Sequence, residues 1–304
     1  FMGTEIFWAS KYYKKIFGEK VYKISLDAGC TCPNRDGTKG TGGCIFCSPL
    51  GSGEFAISSS FSIDEQIEKA KKLLQSKFKG KKYIAYFQNF TNTYGNQKKL
   101  IDLFFQTASK NEIVGISIAT RPDCIQEEMF LALKELSNKT HVTLEFGLQT
   151  SNENTAKFIN RCYKNQEYSS LLKKIQKDAP KIHVVTHCIF GLPHETTEDM
   201  LNTVNFCINA GTNGIKITLL YVLKNTKLAT LYQQDRFKCL EMTEYFDLLA
   251  QAIPLIPKNI VIHRLTGDGP KKLLIAPLWT SNKKKVHNSL MAFLNKNNIS
   301  QKNT

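Results

Sequence analysis

Cys32, Cys44 and Cys47 form a C-x11-C-x2-C pattern in a glycine-rich stretch, LDAGCTCPNRDGTKGTGGCIFC, directly after an apolar run near the start of the chain. Thiolates are soft donors that hold zinc and iron-sulfur clusters alike. Gly37, Gly40, Gly42 and Gly43 let the backbone wrap around a compact group. With Cys30 included, four thiolates would make an all-cysteine zinc site. Without it, three thiolates would hold three irons of a 4Fe-4S cluster and leave the fourth iron open. Cys30 and Cys32 have a single residue between them, whereas zinc sites usually need about two to four. The spacing therefore favours the cluster and keeps zinc as the alternative.

The remaining cysteines, at 124, 162, 188, 207 and 239, stand singly. An odd total of nine, four of them packed together, fits a metal site in a reducing compartment better than a disulfide scaffold. Lone thiols of this kind are expected in or near the core. The longest apolar run, 215–223, is broken by Lys216 and Thr218 and falls far short of the roughly 20 residues of a membrane span. The first twenty residues mix aromatic and charged side chains, so no secretory signal is expected. A cytoplasmic location away from any membrane follows as the expectation.

Forty-one basic residues against 26 acidic ones give a net charge of +15, a field that favours a polyanion such as nucleic acid. Only five of the basic residues are arginine: Arg35, Arg121, Arg161, Arg236 and Arg264. Where lysine serves for plain charge, an arginine marks a need for its rigid bidentate fork.

The elements that must position these residues alternate along the chain. Apolar, β-rich runs predict strands near 21–26, 83–87, 114–119, 142–147, 182–190, 215–221 and 260–264. Helical spacing falls around 64–78, 97–110, 126–137, 166–178, 198–210 and 239–252. Ser62 with Glu65 spells a capping box at one helix start. Strand-helix alternation implies right-handed crossovers and a parallel sheet. Six or seven units favour an α/β fold with a full or partial parallel (β/α) TIM barrel and short terminal extensions over an open, doubly wound sheet. Residues 1–19 read as an N-terminal extension and 20–282 as the barrel, with a substrate-side segment from about 255. A Lys/Asn-rich tail over 283–304 is expected to form a helix to about 296 and then fray.

Polar clusters sit where these strands end, and in a parallel barrel all such ends share one face, where sites are built. They are QNFTNTY from Gln88 and Asn89, TRPD from Thr120 and Arg121, EFGLQT with Glu145 and Gln149, INR with Arg161, GLP with Gly191, and HRLTGDGP with His263, Arg264 and Asp268. Each also has a plain structural account: an Asn-rich turn, an ion pair for Glu145, a simple glycine turn, a satisfied histidine. Four of the five arginines nevertheless fall inside these segments or the cysteine loop. A charged Glu145 in an apolar strand would be costly without a partner.

The three-cysteine loop after the first strand resembles the radical S-adenosylmethionine (SAM) superfamily. CPNRDG, GGCIFC and GSGEF, with HRLTGDGP and APLW further on, resemble its YtqA/YhcC family, and GSGEF the YtqA subgroup. TRPD resembles a motif in the Elongator catalytic subunit. Cys30 and Ala28 depart from the pattern, where an aromatic residue and a glycine are usual, without touching the three ligands. The resemblance implies a 4Fe-4S cluster on Cys32, Cys44 and Cys47, and SAM held by Gln88, Asn89, Thr120, Glu145, Gln149, Arg161 and Gly191. Substrate-side catalytic roles fall to Arg121, His263, Arg264 and Asp268. It further implies modification of a tRNA anticodon loop, converting a wobble carboxymethylaminomethyl-(thio)uridine toward aminomethyl. An electron donor such as flavodoxin or ferredoxin is implied, as is a tRNA methyltransferase acting on the product. A radical SAM reaction on another nucleoside or a metabolite is the nearest alternative. A zinc-stabilised RNA-binding protein without catalysis is the alternative of another class.

Overall fold

Alternating inward and outward side chains on seven parallel strands give this chain two different interiors. The computed structural model describes residues 4–51, 56–76, 80–267 and 269–303. In chain order the strands are β1 (Tyr22–Leu26), β2 (Tyr83–Phe87), β3 (Ile113–Thr120), β4 (His141–Gln149), β5 (His183–Phe190), β6 (Gly214–Leu219), β7 (Val222–Leu223), β8 (Val261–Arg264) and β9 (Leu274–Ala276). The helices are α1 (Ala9–Phe17), α2 (Ile63–Leu74), α3 (Gln97–Ala108), α4 (Glu127–Leu136), α5 (Glu153–Phe158), α6 (Asn165–Asp178), α7 (Thr197–Ala210), α8 (Lys227–Gln233), α9 (Met242–Ala252) and α10 (Lys283–Lys296).

One parallel sheet runs β1-β2-β3-β4-β5-β6-β8, while β7 pairs antiparallel with β9. Each successive strand lies beside the last, so the sheet curls steadily in one direction. The edge strands β1 and β8 are not paired with each other. This is the partial barrel expected from the sequence.

Outward residues such as Leu26, Phe87, Ile116, Ile118, Leu144, Phe146, Val184 and Ile217 are buried in one continuous core between sheet and helices. The helices start where the sequence provides caps. Ser62 Oγ accepts from Glu65 N, and Glu65 Oε2 accepts from Ser62 N at 2.9 Å, which sets the start of α2. Thr196 and Asp199 make the same box at α7. Inward residues form the second interior, which is polar and holds the site.

At the N-terminal end of the barrel, α1 presents Tyr12 and Tyr13 to His141, His183 and His263. Tyr12 stacks on His183 at 4.5 Å and its hydroxyl lies 3.0 Å from Nδ1; His183 Nε2 lies 3.0 Å from His263 Nε2. Beyond α10, residues 297–303 return to the barrel instead of fraying. Gln301 is buried, its amide donating to Pro257 O and Ile260 O and its Oε1 accepting from Phe7 N. Nothing in the local sequence announces that anchor.

Burial pushes His141 down to about 4 and His183 to about 3, and His263 lies well below its ordinary value. In the unfolded chain each binds its proton near 6.5. Below that pH the unfolded state takes up protons that the folded state refuses, so stability falls as pH falls through 6.5 toward 4 and 3. Glu195, pushed up to about 7 by burial, acts in the opposite sense above about 4.5, leaving the histidines ahead. The melting temperature should drop by roughly 4 °C per pH unit between pH 6 and 4. A melting temperature flat over that range would contradict this.

Candidate functional site

The cysteine loop leaves β1 and is fastened to a distant segment, the turn after α5. Asn34 Nδ2 donates to Asn160 O at 2.6 Å and Arg161 O at 3.2 Å. Asn160 Nδ2 donates in return to Gly43 O at 2.8 Å and Thr41 O at 3.2 Å, and Ile45 N donates to Ile159 O. Arg35 donates to the carbonyls of Cys47, Ser48 and Pro49 and lies 5.2 Å over the Phe90 ring. Gly43 has φ +76°, and a Cβ there would stand 2.9 Å from Arg35 Nε, so a glycine is required where the arginine passes. Within this frame Cys32, Cys44 and Cys47 all line one cavity of about 700 Å³. Cys30 packs against the main core instead.

Most of the strand-end residues line the same cavity: Gln88, Thr120, Arg121, Glu145, Gln149, Arg161, His263 and Arg264. Their engagements differ. Gln88 Oε1 accepts from Ser25 Oγ at 3.1 Å, and Thr120 Oγ1 lies 2.6 Å from Thr93 Oγ1. Gln149 adopts φ +69°, which turns the chain out of β4. Arg121 forms a fork onto Asp123, with both bonds at 2.9 Å, and also donates to Arg161 O. Arg161 is fully buried, and its guanidinium is spent on the carbonyls of Leu148, Thr150 and Tyr163 and on Asn165. Asn89 is buried with Oδ1 unpartnered and lies off the cavity wall, as does Gly191, which has φ +86° against Leu240. The wall near Gly191 is apolar: Ile189, Leu219 and Leu220. Asp268 and residues 52–55 of the GSGEF segment lie outside the described residues.

Glu145 lies within the barrel, and its partners are residues that the sequence reading passed over. Lys23 and Ser117 donate to Oε1, Lys216 donates to Oε2, and His187 Nε2 lies 2.8 Å from Oε2. Burial alone would raise its pKa, but Lys216, Lys23 and His187 together hold the carboxyl well below its usual range. These residues sit at alternate inward positions of β1, β3, β4, β5 and β6, a period-two polar signal in otherwise apolar strands.

Residues 35–207 match the Radical SAM superfamily, and 212–296 match the Radical_SAM C-terminal domain. The chain belongs to the radical SAM superfamily. It is 40% identical to the YtqA protein of Bacillus subtilis (strain 168), over 90% of this chain and 85% of that protein. To the YhcC protein of Escherichia coli (strain K12) it is 32% identical, over 93% and 90%. A tRNA-2-methylthio-N(6)-dimethylallyladenosine synthase of Clostridium perfringens (strain SM101 / Type A) is 28% identical over 48% of this chain and 34% of that protein. The archaeal Elp3 of Methanocaldococcus infernus shares the fold, with a TM-score of 0.66 at 16% identity over 92% of this chain and 63% of that one.

Radical SAM proteins bind a 4Fe-4S cluster and SAM, and the donor set here suits such a group. Cys44 is pushed up to about 12 by burial and by the neighbouring Cys47, with Cys32 adding to the effect. Three thiolates in one cavity repel each other until a cationic centre joins them. Asn34 Nδ2 lies 3.7 Å from Cys44 Sγ, placed to orient that ligand from outside. Among the described residues, no three His, Cys, Asp or Glu side chains converge on a single metal ion. Cys32, Cys44 and Cys47 line one cavity, and a 4Fe-4S cluster would take one thiolate on each of three irons.

Proposed function

We propose that this radical SAM enzyme modifies tRNA at the wobble uridine, carrying carboxymethylaminomethyl-(thio)uridine toward aminomethyl-(thio)uridine. The carrying observation is a single cavity that begins at the three thiols and continues down the barrel interior. The net charge of +15 supports a polyanionic substrate. So does the likeness to a tRNA-acting enzyme over about half the chain. A wobble base lies in a loop, already partly unstacked, and extruding it costs only a few kcal/mol.

Cys32, Cys44 and Cys47 hold the cluster, while Gln88, Thr120 and Gln149 face SAM along the cavity wall. Arg161 and Arg121 act at one remove, by holding the turn after α5 to which the cysteine loop is fastened. Arg264 lies on the substrate side, whereas His263 belongs to the histidine cluster that closes the far end of the barrel. With cluster and SAM bound, the chemistry supplied is reductive SAM cleavage and removal of hydrogen from an unactivated C–H. The methylene beside the side-chain amine is the suitable target, because nitrogen stabilises a neighbouring carbon radical. The apolar wall of Ile189, Leu219 and Leu220 excludes water from that step. The enzyme works in the cytoplasm, with a flavodoxin or ferredoxin as electron donor and a tRNA methyltransferase taking the product.

Deuterium placed on that methylene is expected to appear in deoxyadenosine when SAM, reductant and the modified tRNA are supplied. Product formed without transfer would overturn the mechanism. Transfer from another nucleoside or a small metabolite, with none from this tRNA, would assign the enzyme to the alternative radical SAM reaction.

A further inference from the structure

Two ammonium groups share one carboxylate inside the barrel. Lys23 and Lys216 both end on Glu145, whose remaining acceptor sites are taken by Ser117 and His187. Glu145 is the one carboxylate among the described residues lining the cavity. The Tyr86 ring backs both lysines, at 4.6 Å from Lys23 Nζ and 5.1 Å from Lys216 Nζ. Arg264 stands opposite Lys216 in the β6–β8 register and lines the same volume. The side chain of Lys216 is only 13% exposed. A buried cation that must share its counter-ion is costly, and an incoming anion would relieve that cost.

We infer that the barrel interior is a carboxylate-binding subsite in which Lys216, with Arg264, takes the substrate's terminal carboxylate. Glu145 is the positioning residue that holds the Lys216 ammonium in place, while Lys23 competes for the same carboxylate. Lys216 is pushed down to about 8, chiefly by burial and then by Lys23 and Arg264 against the pull of Glu145, as expected of a cation short of counter-charge.

Depth favours a carboxylate over a phosphodiester. Lys23 and Lys216 each lie three residues before the end of their strand, about 10 Å below the rim. A phosphodiester sits in mid-chain and would have to bring both neighbouring nucleotides inside. A carboxylate at the tip of a base side chain needs only a narrow arm. Anchored there, the arm would pass its carbon-hydrogen bonds toward the thiol-lined mouth. That the arm is the wobble carboxymethylaminomethyl group rests on the function proposed above.

The test measures binding of two anticodon hairpins, one carrying carboxymethylaminomethyluridine and one aminomethyluridine, to the full chain and to Lys216→Met and Lys216→Gln. A charge-assisted contact of this kind should give the carboxylate hairpin about tenfold tighter binding to the native protein. Both variants should lose that preference while keeping their affinity for the aminomethyl hairpin and for SAM. Variants that keep the preference, or lose SAM binding instead, overturn the subsite; the second result would give the lysine to SAM's own carboxylate. Equal binding of both hairpins by the native protein overturns the subsite and leaves the RNA reading standing. If neither hairpin binds, the RNA reading fails. Thermal stabilisation by iminodiacetate then decides: present in the native protein and absent in both variants supports the subsite, and absent in all three overturns it. Glu145 retains Lys23, His187 and Ser117 in either variant, so the fold should survive, and melting curves check this.

Discussion

Replacing Cys32, Cys44 or Cys47 with alanine should leave a folded protein that takes up little iron on anaerobic reconstitution and cleaves SAM at least a thousandfold more slowly. Cys30→Ala should retain both properties. The loop does not depend on its thiols for shape: Asn34, Asn160 and Arg35 fasten it through backbone carbonyls. Losing one thiolate therefore removes a ligand without removing the frame. Cys30 packs on the main core, so its truncation costs about 1 kcal/mol of packing and no ligand. Iron content, absorbance near the visible charge-transfer bands and deoxyadenosine yield separate the two classes of variant. Loss of bound metal in Cys30→Ala, with zinc as that metal, would favour a four-thiolate zinc site.

Arg161→Met should be the most damaging single change to stability. The guanidinium donates to Leu148 O at 3.1 Å, Thr150 O at 2.7 Å, Tyr163 O at 2.8 and 3.1 Å, and Asn165 Oδ1 at 2.9 Å, and it lies 4.3 Å from the Tyr163 ring. Removing it strands several carbonyls in a dry interior, each costing about 1–3 kcal/mol before relaxation. A total near 4 kcal/mol corresponds to a drop in melting temperature of roughly 8 °C. Lysine cannot copy a fork that reaches three carbonyls, so Arg161→Lys should lose nearly as much. The 3.5 Å contact with the exposed Glu153 adds little. Because the Arg161 carbonyl also receives Asn34 and Arg121, iron uptake should fall alongside stability. A melting temperature within about 2 °C of the native protein would show that the network relaxes freely.

Strand positions were legible because burial on two faces leaves an apolar run that composition alone reveals, and β1 to β6 and β8 fall within a residue or two of their expected bounds. Short elements were not: α8 and the β7–β9 pair carry too few residues to show a period. Scarcity of arginine draws attention to Arg35, Arg121 and Arg161, all of which the fold commits to backbone carbonyls. It does not reveal the partners: Arg35 holds the cysteine loop itself, whereas Arg121 and Arg161 hold the turn after α5 and the end of β4, up to 41 residues away in sequence. Glu145 was singled out as needing a partner. Naming Lys23 required the fold, because 122 residues separate the two. Alternation within Lys23-Ile24-Ser25 and Lys216-Ile217-Thr218 is the signal available for a polar barrel interior. The apolar outward positions of the same strands mask it. Tyr12 and Tyr13, assigned to an extension, close the barrel's N-terminal end through a histidine cluster that no local pattern encodes.

If the three-thiolate loop serves radical SAM chemistry on tRNA, that chemistry should show in the reconstituted protein. Anaerobic reconstitution with iron and sulfide, followed by measurement of deoxyadenosine formed from SAM with and without bulk tRNA, tests it most directly. A brown protein is expected, one that cleaves SAM and does so faster when the tRNA carries the carboxymethylaminomethyl group. A colourless protein that keeps one tightly bound zinc and forms no deoxyadenosine would contradict it.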